Sequence, residues 1–186
     1  RSISFELTYL EEILQLEHEL FPIYSKADEG FLSDGTNSHL DIFGELSRIR
    51  QELDNLFSRH QRDREYKHLQ LRYLYLEGRY FIRSGEYQKG IHDIQKVISY
   101  ARELKQSDFL LEGYRQIIYY CIQTENISEM AYYTDLALED AIQANNHEVI
   151  AIQLRLKGLY HLMVGDEEQA TQHLYRSIDC FSLTNS

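Results

Sequence analysis

An all-α array of helix pairs is the fold predicted by three features of this 186-residue chain: a recurring phrase, an apolar rhythm of helical period and a single proline. The phrase Leu76-x-Gly78-x-Tyr80-x-Ile82-x-x-Gly85-Glu86 returns as Leu156-x-Gly158-x-Tyr160-x-Leu162-x-x-Gly165-Asp166. Halfway between them, Gln116, Ile118, Tyr120, Ile122 and Glu125 keep the apolar rhythm without the glycines. The same shift of 40 aligns Leu69, Phe109 and Val149; Ile98, Leu138 and Ile178; and Ala101, Ala141 and Phe181. A period near 40 lies in the range of helical solenoids, which act as surfaces for holding a partner.

The elements follow in order. A first helical pattern runs from about Ser4 to Phe21 with Phe5, Tyr9, Leu10, Ile13, Leu14 and Leu20 at helical spacing, and Pro22 disfavours its uninterrupted continuation. Residues 25–37, with Asp28, Gly30, Asp34, Gly35 and Asn37, read as the longest loop. A long helix from about Ser38 places Leu40, Phe43, Leu46, Ile49, Leu53, Leu56 and Phe57 on one stripe. Residues 1–66 depart from the 40-residue frame and read as an irregular helical cap or degenerate repeat.

Three pairs follow, at about 69–108, 109–148 and 149–186. In the first pair, Leu71, Leu74, Leu76, Phe81 and Ile82 precede the Ser84-Gly85-Glu86 turn, where glycine suits a left-handed helix C-terminus. Its partner helix carries Ile91, Ile94, Val97, Ile98, Ala101 and Leu104, and Gln106-Ser107-Asp108 ends it. Further helices are expected near 109–123, 127–144, 147–163 and 167–182, broken at Thr124-Glu125-Asn126 and Gly165-Asp166. Gly78 and Gly158 sit within helices, where glycine costs about 1 kcal/mol against alanine, so close packing of a partner helix is the expected reason.

Gly78, Phe81, Gly85-x-Tyr87 and Gly90 resemble the tetratricopeptide repeat, stretched beyond its usual length. Gly158, Gly165 and Ala170 match it again, with His161 and Glu167 departing, while Cys121 and Ala137 are the main matches in the middle pair. That resemblance implies a right-handed solenoid. Extended repeats of this kind also resemble the sensor or effector arrays of Gram-positive bacterial transcription regulators, which implies a cytoplasmic, non-catalytic interaction domain. The alternative is a structural adaptor or self-association module of an unrelated complex. Arg1 in place of a methionine points to a piece of a longer protein.

Charge narrows the partners. The net charge of −11 argues against direct nucleic-acid binding. Residues 1–66 hold 7 Lys/Arg against 14 Asp/Glu, residues 67–110 hold 8 against 5, and residues 111–186 hold 4 against 11. A basic first repeat between acidic flanks points to local recognition of an anion. No apolar run suits a membrane span, and two isolated cysteines, Cys121 and Cys180, fit a reducing cytoplasm.

Motifs for phosphate loops, nucleophile elbows and zinc helices are absent, and no histidine has another three or four positions away. No catalytic residue, metal or cofactor is expected. The constellation that stands out is cationic and aromatic. First helices of the resembled fold line a concave groove, and in that register the chain offers Arg72, Tyr75, Arg79 and Arg83, then Arg115, Gln116, Tyr119 and Gln123, then Arg155. Guanidinium forks bind carboxylates bidentately and tyrosine adds flat contact area. The expected occupant is a peptide or protein segment bearing a carboxylate; the bland alternative is pairing of these arginines with Glu77, Glu112 or other acids. A homodimer is also open.

Overall fold

The structure, a computed structural model, describes residues 3–30, 38–59 and 64–184. Among them the protein is wholly helical, with eight helices and no strand. They are α1 (Ile3–Gly30), α2 (Ser38–Arg59), α3 (Arg64–Arg83), α4 (Tyr87–Leu104), α5 (Ser107–Gln123), α6 (Ile127–Gln143), α7 (His147–Met163) and α8 (Glu167–Thr184). None is long and apolar enough to cross a membrane.

The helices end in one recurring way. Residues 85, 105, 125, 145 and 165, spaced by twenty, all have positive φ, between 50° and 89°. After α3, Gly85 N–H donates to Ile82 O at 3.3 Å and Glu86 N–H to Phe81 O at 2.8 Å. The same two bonds recur as Glu125 to Ile122 and Asn126 to Cys121, as Asn145 to Ile142 and Asn146 to Ala141, and as Gly165 to Leu162 and Asp166 to His161. This paired closure satisfies carbonyls that a helix end leaves open and reverses the chain within three residues. The next residue then starts a helix: Asn126, Asn146 and Asp166 side chains accept from the backbone N–H of Glu129, Val149 and Gln169. Tyr80, Tyr120 and Tyr160 keep one place in this device. Each is half-buried, and each carbonyl accepts from the N–H four residues on, at 3.0–3.1 Å.

The helices group into two compact units, Arg1–Leu104 and Lys105–Ser186. In the first, α1 packs on α2 and α3, α2 touches α3, and α3 and α4 form a close antiparallel pair. The stripe expected on the long second helix is buried at Leu46, Ile49, Leu53 and Leu56. The side chains of Phe5, Leu40, Phe43 and Phe57, and residues 31–37 of the expected loop, lie outside the described residues. Two expectations need correction. α1 does not stop at Pro22 but continues to Gly30, so residues 25–30 are helix and not loop. Proline removes one backbone bond and crowds the preceding turn, yet Leu20 and Ile23 on either side are buried, and that burial favours continuation. Leu10 and Leu14 are exposed, the buried stripe of α1 being Tyr9, Ile13, Leu16, Leu20 and Ile23.

In the second unit α5 packs on α6, α6 on α7 and α7 on α8. Equivalent positions share burial across the pairs: 74, 114 and 154; 78, 118 and 158; 90, 130 and 170; 97, 137 and 177. The glycines explain how closely helices approach. A Cβ on Gly78 would lie 2.8 Å from Ile94 Cδ1, and one on Gly158 would lie 2.8 Å from Leu174 Cγ, sixteen positions on in both cases. The middle pair inverts the sizes, with Ile118 in the glycine's place and Thr134 in the partner's, both buried.

These contacts rank three substitutions. At Gly90 a Cβ would meet Ile82 Cγ1 at 2.6 Å, the Ile82 backbone N at 2.9 Å and the Gly78 carbonyl at 3.0 Å, and backbone cannot step aside. Gly90→Ala is expected to cost about 2–3 kcal/mol, Gly78→Ala less, and Gly158→Ala least because Leu174 is only half-buried and can turn away. Urea unfolding of the three variants checks the order.

Candidate functional site

The anticipated cationic face divides between the two units, and each part is described on its own. In the first unit Arg72 is held by Glu17 of α1, with Nη1 2.7 Å from Oε1. Tyr75, one turn on, is 3% exposed and belongs to the core. Arg79 is half-buried and Arg83 exposed in the last turn of α3. In the second unit Arg115 pairs with Glu112 at 2.7 Å, the alternative anticipated for it, while Gln116 is buried. Tyr119 is half-buried, and Gln123 and Arg155 are exposed. Tyr75 and Gln116 are thus core residues of their own units and are not open to a partner.

The second unit does gather cations, on different residues. A cleft of about 460 Å³ crosses α6, α7 and α8. Its walls include Thr134 and Asp135 from α6, Lys157, Tyr160 and His161 from α7, and His173 and Arg176 from α8. Lys157, His161 and Tyr160 fall at three- and four-residue spacing on one α7 face, as do His173 and Arg176 on α8. Lys157 Nζ lies 2.7 Å from Asp135 Oδ1, and Asp135 is the single carboxylate in the lining. The His161 and His173 rings stack with centroids 5.0 Å apart, and Tyr160 meets His161 edge-on at 5.1 Å. His173 Nδ1 is 2.7 Å from the Gln169 carbonyl, which can only accept, so Nδ1 carries a proton and Nε2 is the adaptable atom.

Nothing in this lining is an activated nucleophile. Cys121 is 1% exposed, and burial pushes its thiol up to about 11, leaving it protonated in the core. Among the described residues no group of three His, Cys, Asp or Glu side chains could hold a metal ion. What the cleft can do is receive an anion: Lys157 and Arg176 offer charge, and the tyrosine and histidine rings offer flat surface. A cleft of about 480 Å³ in the first unit has the opposite character, with Glu11, Glu12 and Glu52 beside Arg59, itself paired to Glu12.

The resemblance missed His173 and Arg176 because it placed the groove on first helices alone, and it passed over Lys157 because on α7 its register selected Arg155. A signal was present, since residues 111–186 hold only four Lys/Arg and two of them meet here. No protein-family model, curated protein or solved structure matches the chain.

A buried acid pair is the second constellation. Glu77 of α3 and Asp93 of α4 are 5% and 4% exposed. Glu77 Oε1 accepts from Arg50 Nη1 of α2 at 2.7 Å, while Glu77 Oε2 and Asp93 Oδ2 have no donor from the protein. A proton held on Asp93 would give the pair the donor it lacks. Burial, and then the Glu77 carboxyl, push Asp93 up to about 8, with Arg50 pulling the other way. Burial likewise raises the Tyr73 phenol, whose hydroxyl donates to the Leu46 carbonyl at 3.2 Å. No sequence pattern announced this network, because its members stand 27 and 16 residues apart on three helices.

A carboxyl whose folded pKa exceeds its unfolded value holds its proton more tightly when folded. Its stabilising contribution is complete below about pH 4, falls through the window up to about 8 and is constant above. Asp93→Asn, which supplies a permanent donor to Glu77, should flatten that part of the profile and raise stability at pH 8. Urea unfolding from pH 5 to pH 8 reads this; an unchanged slope in the variant would place the proton elsewhere.

Proposed function

We propose that the chain is a non-catalytic binding module: a right-handed solenoid of tetratricopeptide type, serving a cytoplasmic, bacterial transcription regulator, whose α6–α8 cleft takes a carboxylate-bearing segment of a peptide or protein. The observation that carries the binding reading is the cleft lining, where Lys157, Arg176 and two histidines meet with Asp135 as the one acid of the lining and Asp166 at 4.0 Å from His161. The turn repeated every twenty residues supports the solenoid, since identical hairpins in series are how such arrays are built. The regulator assignment rests on the sequence resemblance. Arg155, exposed on α7 of the same unit, adds positive charge that can steer the segment. An adaptor role is the second reading, favoured by exposed apolar side chains on α1 and α8.

The anion site can be probed without knowing the partner. Titrating the 186-residue chain with an acetylated triglutamate peptide should move the resonances of Lys157, Tyr160, His161, His173 and Arg176. Arg176→Ala should weaken binding about two- to fivefold, as expected for a charge contact at an exposed arginine, with a smaller effect at high salt. Asp135→Asn should strengthen it by freeing Lys157 from its internal partner. Melting temperature controls for folding. Shifts confined to Arg83, Arg115 or Arg155 would move the site, and unchanged affinity in Arg176→Ala would remove the cleft from the reading.

A further inference from the structure

A second polar device lies in the same unit as the cleft, in the first half of α7. The forty-residue frame places Tyr73, Gly113 and Gln153 at one position, and all three are buried. In the first pair the Tyr73 hydroxyl is satisfied by the Leu46 carbonyl at 3.2 Å, and in the middle pair glycine has no side chain to satisfy. Gln153 differs. It is 0% exposed, yet neither its Oε1 nor its Nε2 has a partner from the protein. A buried amide in that condition is destabilising, and a leucine of similar size would not carry the same cost. Gln153 lines a cavity of about 30 Å³ between α5, α6 and α7, with aliphatic walls from Leu110, Leu111, Ala137, Ala141 and Val149. Tyr114 and Asp140 also line it, and the Tyr114 hydroxyl donates to Asp140 Oδ2. Ser107 and Ala144, two further lining residues, are exposed, so the cavity reaches the surface.

We propose that Gln153 receives the side-chain carboxamide of an asparagine or glutamine carried by a partner segment, a reading independent of the cleft. The chemistry of the amide selects the class. In either orientation it presents an acceptor and a donor side by side, and a second carboxamide answers both at once in a cyclic pair of hydrogen bonds. A carboxylate would set an oxygen against Oε1, with Asp140 in the same lining adding repulsion, and an ammonium would set its hydrogens against those of Nε2. Water can meet either atom, but an ordered water needs two to four polar partners, and the aliphatic walls offer few beyond the amide. Size selects the source. A volume of about 30 Å³ holds roughly two water-sized groups, which suits the head of a carboxamide and not a whole small molecule. The bearer of the group must therefore lie outside, past Ser107 and Ala144.

NMR on the 186-residue chain tests this with two probes. Acetamide is the head group alone, and acetyl-Gly-Asn-Gly dimethylamide presents it on a segment. Both should shift the Gln153 side-chain and Val149 backbone resonances saturably, in the millimolar range of a single small contact. Acetate, and the same peptide with alanine in place of asparagine, should bind at least tenfold more weakly. Resonances of Lys157 and Arg176 should stay in place, which separates this result from that of the cleft. Gln153→Leu should abolish the saturable Val149 shift and raise the melting temperature, because it removes a buried amide that the protein does not pair. Gln153→Met serves as the second variant if the branched side chain disturbs folding. Saturable binding that survives both variants, an equal linear drift with acetamide and acetate, or acetamide binding without peptide binding would each overturn the proposal. A lower melting temperature in both variants would make Gln153 a structural residue hydrated from within and overturn it as well.

Discussion

A left-handed residue after each of α3 to α7, at twenty-residue intervals, is the constraint on which the rest of this structure depends. With turns fixed in length, helices of 17 or 18 residues pack back on their predecessors within each unit, α4 on α3 in the first and α6, α7 and α8 in series in the second. The phase of one helix is thereby carried into the next, so residues sixteen apart meet where α3 packs on α4 and where α7 packs on α8. Gly85 and Gly165 adopt this conformation without steric cost, but Lys105, Glu125 and Asn145 do not. A side chain there costs roughly 1–2 kcal/mol, less for asparagine. The conformation persists at Glu125 and Asn145 because two backbone bonds and a following cap residue close each end. Asn126, Asn146 and Asp166 supply those caps, which makes each turn a joint product of the helix behind it and the helix ahead.

This explains why the repeat pairs were legible in the sequence and the first sixty residues less so. The expected helices near 127–144 and 147–163 match α6 and α7 to within a residue, because cap residues and apolar period agree there. Gly78 and Gly158 were correctly read as close-packing positions, each pressed by one aliphatic side chain of the partner helix. The size exchange of Ile118 and Thr134 shows why the middle pair kept the rhythm but lost the glycines: the gap is conserved, not the residue that leaves it. Pro22 was misjudged because a local rule met a tertiary one. The lost backbone bond is a local cost, while burial of Leu20 and Ile23 depends on α1 packing against α2 and α3, which local propensity does not encode.

Site residues were harder to read than the fold because charge partners are set by tertiary contacts. Arg72, Arg50, Arg48 and Arg59 each reach an acid on another helix, at Glu17, Glu77, Glu19 and Glu12. Exposed pairs of this kind are worth at most about 1 kcal/mol each, so they orient helices more than they stabilise them. Their effect on function is larger, since a guanidinium already facing a carboxylate is a weaker receptor for an incoming one. The buried Glu77–Asp93 pair belongs to a different regime. There two buried carboxyls on α3 and α4 lie without a protein donor on one oxygen each, and Arg50 of α2 reaches Glu77 from the solvent side.

The proposed cleft gains its meaning from the charge around it. Residues 111–186 hold 11 acids, so the field seen from a distance repels an approaching anion. That long-range term decays over about 8 Å at physiological ionic strength, whereas contacts inside a cleft are screened much less. An anion must therefore come close before it is favoured, and only a ligand with its charge at a tip or side chain can do so while keeping its remaining surface neutral or basic. A polyanion such as nucleic acid would set many of its charges against the surrounding acids. A segment with one or two carboxylates would meet Lys157 and Arg176 and leave little else to be repelled. On the proposed reading the acidic surround works with the local cations: it raises the cost of every anion that does not fit and so favours a short, singly placed carboxylate.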